Sequence, residues 1–190
     1  MKKILKVSTL AALTAGVLLS ACGGGDDNNP AMVSGVFLDA AVEGLDYVAT
    51  GAGKASTGAN GEFTCTVGNT LSFTLGGIAL GSAPCNATVT PLTLAGSSNV
   101  KDDSVVNRLL ALQLLDEDND PSNGIKLSAA VKAALANRTL DFNASAATFN
   151  TAMTATLASL PVAYQGRSVD TDRRTLVREH FEDTLASRLG

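Results

Sequence analysis

The sequence predicts an α+β chain: a small N-terminal antiparallel β-sandwich over residues 32–95, followed by a helical subdomain over residues 99–190. Three observations carry this expectation. Apolar and polar residues alternate with period two at Glu62–Val67 and again at Leu71–Leu75, the mark of half-buried strands. Turn dipeptides separate these runs: Asn60-Gly61 before the first and Gly68-Asn69 before the second. From residue 99 onward the period changes to that of helices, with apolar residues three and four apart.

In order along the chain, Val33–Asp39 is a short apolar run ending on a polar residue, and Tyr47–Thr50 is a second strand signal. In the run Glu62-Phe63-Thr64-Cys65-Thr66-Val67, alternation puts Phe63, Cys65 and Val67 on one face and Glu62, Thr64 and Thr66 on the other. Leu71, Phe73 and Leu75 repeat the pattern, and Ile78, Leu80 and Val89 suggest shorter strands. Many short strands with glycine-rich turns read as a small sandwich.

The helical half opens on Asp102, Asp103 and Ser104, residues that suit an N-cap and first turn. Val105, Val106, Leu109, Leu110, Leu112 and Leu114 then form a wide stripe, which ends in an acidic loop broken by Pro121 and Gly124. Ser128 is placed to cap a second helix running to about Asn137. Ser145 is placed to cap a third, carrying Phe149, Met153, Leu157 and Leu160 up to Pro161. The last helix spans about Thr171 to Leu189, with Leu176 or Val177, Phe181, Leu185 and Leu189 along one stripe.

Ahead of the sandwich, Lys2, Lys3 and Lys6 precede a mostly apolar stretch, Val7–Leu19, and then Ser20-Ala21-Cys22. This is the layout of an export signal over residues 1–21. The apolar stretch is short for a bilayer span, which needs about 20 apolar residues. A polar, glycine-rich tether over residues 22–31 follows it, not a stop-transfer flank. The ending Leu19-Ser20-Ala21-Cys22 resembles the lipobox of bacterial lipoproteins, in which the signal is cut before the cysteine and the thiol is diacylated. The resemblance implies lipidation at Cys22 and attachment to a membrane, since more than one acyl chain gives stable anchoring. Gly23, where such families carry Asp for inner-membrane retention, implies sorting to the outer membrane.

Removing residues 1–21 takes away three lysines, so 14 basic side chains become 11 against 18 acidic ones and the net charge moves from −4 to −7. An acidic chain with one histidine and no basic run does not suit nucleic acid. About 169 residues then remain, enough for one compact domain or two small lobes. With Cys22 used by the lipid, two of the three cysteines are left, Cys65 and Cys85. In an oxidising compartment they read as one disulfide. Two buried thiols or a metal site are the alternatives, although a metal site needs further ligands at short spacing and none is visible.

Gly51–Gly58 resembles a phosphate loop only briefly: Val48 stands where its first glycine belongs, Ala55 replaces the hydroxyl, and strand signals follow, so a hairpin loop is preferred. Asp116, Asp118 and Asp120 alternate as calcium ligands do, with Asn119, Ser122 and Asn123 as further oxygen donors. Pro121 and Leu127 break the EF-hand pattern, so calcium stands beside a simpler reading, a solvated acidic helix end. No cofactor is required on this reading. His180 lies among charges and reads as a helix-surface histidine, with no nucleophile elbow to serve. Arg167, Arg173, Arg174 and Arg178 suit anions or a partner, or simply a solvated helix face.

Two stretches resemble a module of uncharacterised proteobacterial lipoproteins, and more loosely the transthyretin-like or carboxypeptidase-regulatory β-sandwich. They are Val36–Tyr47 with Ser56–Phe63 and Gly68–Gly81, and then Asn107–Ile125. The resemblance implies a binding or structural role and carries no catalytic residue. The expectation is therefore a non-enzymatic, outer-membrane-anchored lipoprotein that binds or scaffolds an envelope protein partner. The alternative is a carrier of a lipid or another hydrophobic ligand.

Overall fold

The computed structural model describes residues 30–189. The export signal and Cys22 lie outside the described residues. What is described is α+β, with N-terminal sheets followed by helices.

Strand β1 (Met32–Phe37) is the middle of a three-stranded sheet. On one side it pairs antiparallel with β5 (Glu62–Thr66), Met32 opposite Thr66 and Val36 opposite Glu62. On the other side it pairs with β8 (Thr88–Val89). A second sheet runs β4 (Lys54–Ser56), β3 (Asp46–Ala49), β6 (Thr70–Leu75), β7 (Ile78–Pro84), antiparallel throughout. The period-two runs put Phe63 and Cys65 from β5, and Leu71, Phe73 and Leu75 from β6, inward, but Val67, expected on the face of Phe63 and Cys65, is exposed because the strand ends at Thr66 and turns. The two sheets meet through aromatic rings. Phe73 sits 5.0 Å from Phe37 and 5.8 Å from Phe63, and Tyr47 lies 6.0 Å from Phe63, tilted or edge-on as ring quadrupoles prefer.

The pairing is not antiparallel everywhere. β8 runs parallel to β1. β2 (Val42–Glu43) pairs in parallel with β9 (Ile125–Lys126), a strand contributed by the helical half. Parallel neighbours need long crossovers, and here the sheet and helical segments between the partners provide them. The β2–β9 pair ties the two halves of the chain together.

The helices are α1 (Pro91–Ala95), α2 (Asp103–Leu114), α3 (Ala129–Ala134), α4 (Ala146–Ala158) and α5 (Thr171–Leu189). Helix α2 is central: every residue from Val105 to Leu114 is buried, where the sequence pattern suggests one wide stripe. It packs against α1, α4 and α5, and one continuous core joins it to both sheets. Ser128 and Ser145 cap α3 and α4 as expected, accepting from the amides of Val131 and Thr148. Asp102 precedes α2 but makes no capping bond, because Ser97 Oγ (2.6 Å) and Asn99 Nδ2 (2.6 Å) occupy its carboxylate. In α5, Val177 and Phe181 take the inward positions and Leu176 faces outward.

Helix α3 sits directly on the β6–β7 turn. A Cβ on Gly77 would meet the Ala136 carbonyl oxygen at 2.0 Å, so only glycine permits this approach. An ion-pair cluster holds the same junction. The carboxylate of buried Asp46 on β3 receives Lys132 Nζ of α3 at 2.7 Å, Lys54 Nζ at 2.9 Å and Ser56 Oγ at 2.7 Å. Burial alone would raise the Asp46 pKa, but these donors outweigh it and hold the carboxyl below its ordinary value.

Candidate functional site

The acidic loop follows α2 directly, and hydrogen bonds define its course. Asp116 is buried. Its Oδ1 accepts from the Lys126 amide at 2.8 Å and its Oδ2 from the Asp120 amide at 3.0 Å. Asp118 accepts from the Asp120 amide at 3.0 Å and from Asn123 Nδ2 at 2.8 Å. Asp120 Oδ1 accepts from the amide (3.1 Å) and hydroxyl (2.6 Å) of Ser122, opening a single 3₁₀ turn at Pro121–Asn123. Gly124, with φ at 109°, then releases the chain into β9. Aspartates bond to nearby backbone in this way because their side chains are short, and such bonds compete with helix continuation.

Asp116 and Asp118 adjoin, and each of the three carboxylates accepts from N–H or O–H donors of the same loop. Burial, together with the neighbouring Asp118 carboxylate, pushes Asp116 up to about 6. Asp118 is held below its ordinary value by Asn123, the Asp120 amide and the bond it shares with Asp116. Among the described residues, no group of three or more His, Cys, Asp or Glu side chains has the geometry to hold a metal ion.

Two of the four arginines that suit anions, Arg167 and Arg174, bind across elements of the fold. Arg167 Nη1 donates to the carbonyls of Leu114 (2.8 Å) and Asp116 (2.6 Å), at the C-terminal end of α2, and its guanidinium lies 4.4 Å over the Tyr164 ring. Arg174 donates to Asn107 Oδ1 at 2.8 Å, Asn150 Oδ1 at 3.0 Å and Asp103 Oδ1 at 3.0 Å, joining α2, α4 and α5. Arg178 pairs with Glu182 one turn along α5. Arg173 donates from Nη2 to Asn119 at 2.9 Å, while its buried Nε has no partner. With Arg167, Ser168 and Asn119 it lines a polar cleft of about 610 Å³.

His180 differs from the surface histidine expected: its Nε2 is shielded from solvent and has no hydrogen-bond partner. Burial lowers its pKa, against the pull of Asp183 and Asp120. It lines a second cleft of about 310 Å³ with Ala40, Asn60, Asn123, Thr184 and Arg188.

Sequence reasoning missed the buried polar residues at the centre. Asp39, fully buried in the β1–β2 turn, offers Oδ1 to Gln113 Nε2 at 3.0 Å, while its Oδ2 is unpartnered. Gln113 also donates to the Val177 carbonyl of α5 at 3.2 Å. Loss of hydration raises Asp39 to about 8, so it carries a proton at neutral pH. Asn107, also fully buried, donates to the carbonyls of Phe142 (3.0 Å) and Ala144 (2.9 Å). The available signal was polar residues set inside an apolar helical run: Asn107, Arg108 and Gln113 all interrupt the stripe of α2.

Cys65 and Cys85 lie at disulfide distance, with Cα atoms 5.9 Å apart, linking β5 to the segment after β7. No protein-family model matches the chain, and no curated protein or solved structure matches it either.

Proposed function

We propose that this chain is an outer-membrane lipoprotein, anchored through Cys22, whose folded body is a non-enzymatic module that binds or scaffolds a protein partner of the bacterial envelope. The Leu19–Cys22 motif and Gly23 support the anchor and its destination. The paired Cys65 and Cys85 suit an oxidising compartment. The observation that carries the module reading is the internal use of the polar constellations. Arg167 holds the end of α2, Arg174 and Asn107 join three helices, and the carboxylates of Asp116, Asp118 and Asp120 organise their own loop. Side chains so committed build a rigid body, and rigid bodies present surfaces at low entropic cost. Calcium at the acidic loop belongs to this reading only as an addition: an ion there would have to displace the Asp120 and Ser122 donors.

Cross-linking of intact envelopes followed by pull-down of this chain tests the module reading. Recovery of one envelope protein at constant stoichiometry is expected. Recovery of only the chain itself and lipid contradicts it.

A specific observation favours carriage of a hydrophobic ligand as the second reading. Ala129, Ala133 and Ala136 of the α3 region wall one side of a cleft of about 410 Å³ with Gly76 and Gly77, and the Asp46, Lys54 and Lys132 cluster lines the rest, so an amphiphile with a charged end fits it. Displacement of a fluorescent fatty acid from the purified protein separates the two readings.

A further inference from the structure

Every residue from Phe63 to Val100 is uncharged, as is every residue from Pro30 to Leu38. The ends of these stretches meet at one pole of the sandwich, at the other end of β6 from the β6–β7 turn that packs on α3. Two turns and two further backbone segments meet there and are bonded to one another. The Val67 amide donates to the Ala31 carbonyl at 2.9 Å, placing the β5–β6 turn beside the start of β1. The Cys85 amide donates to the Asn69 carbonyl at 2.8 Å, bringing in the segment after β7. Asn69 Nδ2 reaches the Thr50 carbonyl at 2.7 Å, and the Thr50 amide the Thr70 carbonyl at 3.0 Å, which adds the β3–β4 turn, Thr50–Gly53, also uncharged. The charged residues of these strands sit farther along them: Glu62 opposite Val36, Asp46 opposite Thr74, and Lys54 opposite Val48 with its ammonium on Asp46.

This pole also exposes apolar side chains. Met32 is 64% exposed and Val67 57% exposed, on neighbouring positions of β1 and the β5–β6 turn. The pole is where the chain leaves toward its N-terminus. Nine residues, 23–31, separate Cys22 from Met32, and an extended chain of that length spans about 30 Å at most. An anchored Cys22 therefore makes this pole the part of the body tethered nearest the bilayer.

We propose that this uncharged pole is the membrane-contacting face of the body, with Met32 and Val67 seated among the headgroups of the bilayer that holds Cys22. The inference rests on the lipid-anchor reading above and adds an orientation to it. Charge is the reason a lipid surface fits. Ions pressed into a headgroup layer lose hydration, and acidic side chains are repelled by anionic lipid; this pole carries neither cost. Exposed apolar side chains near an acyl anchor supply the second contact that interfacial attachment uses. The acidic remainder of the body then points away from the membrane, toward a partner.

The chain has no tryptophan, so a single introduced one is a clean reporter. Full-length protein purified with its lipid is reconstituted into phosphatidylcholine vesicles as Val67→Trp, Met32→Trp and, on the outward face of α5, Leu176→Trp. With brominated phosphatidylcholine, Val67→Trp and Met32→Trp should lose at least half their fluorescence and shift to the blue, and Leu176→Trp should do neither. Protein that floats with the vesicles while all three variants fluoresce alike in both lipids overturns the proposed face and leaves the anchor standing. Protein that does not float overturns both. A blue shift that grows with protein concentration in detergent, without bromine quenching, assigns the pole to a second copy of this chain and also overturns the proposal. All three positions are exposed, and an unchanged thermal midpoint confirms that each variant is folded.

Discussion

Gln113 Nε2 donates to Asp39 Oδ1 at 3.0 Å, across a sequence separation of 74 residues and with both side chains buried. The same nitrogen reaches the Val177 carbonyl at 3.2 Å, so one amide joins the β1–β2 turn, α2 and α5. The second oxygen of Asp39 has no partner. A buried carboxylate in this position would be costly, and a neutral acid is tolerated.

Asp39 therefore makes stability depend on pH. Its folded pKa, about 8, lies above the ordinary 3.8. A carboxyl raised in this way stabilises the folded state through its bound proton. That contribution is complete below the unfolded value and is lost as pH climbs to the folded one. Urea unfolding of wild type against Asp39→Asn should show wild type losing on the order of 4 kcal/mol relative to the variant between pH 4 and pH 8. Parallel curves for the two proteins across that range would show that Asp39 does not titrate as described.

Asn107 holds two carbonyls of the segment before α4 and receives Arg174. Asn107→Ala leaves those carbonyls without their donor in a buried site and takes one of three acceptors from the Arg174 guanidinium. We expect a loss of about 2–4 kcal/mol by chemical denaturation. In a double-mutant cycle with Arg174→Met, the coupling should exceed about 1 kcal/mol. A coupling near zero would place the two residues in separate roles.

Arg167→Ala removes the donor that serves the Leu114 and Asp116 carbonyls. The end of α2 and the acidic loop should lose order first. Hydrogen exchange should accelerate at residues 115–124 while the β6 amides stay protected. Uniform acceleration across the chain would mean that Arg167 supports the whole fold and not this loop.

Much of this architecture was legible in the residues, for local reasons. Period-two alternation at Phe63–Cys65 and Leu71–Leu75 reports a half-buried strand whatever surrounds it, and Ser128 and Ser145 announce helix starts by their own chemistry. What was not legible depends on distant partners. β9 is two residues long and exists because β2 lies beside it. Helix α1 is five residues long, and its signal, Thr90-Pro91 with Thr93 closing a capping box, was available but short. At the candidate site, the spacing of Asp116, Asp118 and Asp120 is the same whether the oxygens face an ion or the loop's own amides. Only the chain's return at Ser122 and Lys126 distinguishes the two. Asp39 looks like the end of a strand in the sequence, and its burial is set by Gln113 and Val177.

Cys65 and Cys85 close a loop with a sequence separation of 20 residues. Cross-linking a loop of that size restricts the unfolded chain and contributes about 3 kcal/mol. Cys65→Ala/Cys85→Ala should lower the stability of the body by about that amount, and reduction of wild type should match the double variant. A reduced wild type as stable as the oxidised form would show the two sulfurs to be unlinked in solution.

The central claim is that this body is held to a membrane by lipid on Cys22. Intact-mass spectrometry of the protein purified from its native envelope tests it most directly. The account predicts a chain beginning at Cys22 and carrying added acyl mass. A species that retains residues 1–21, or that begins at Cys22 without acyl mass, would contradict it.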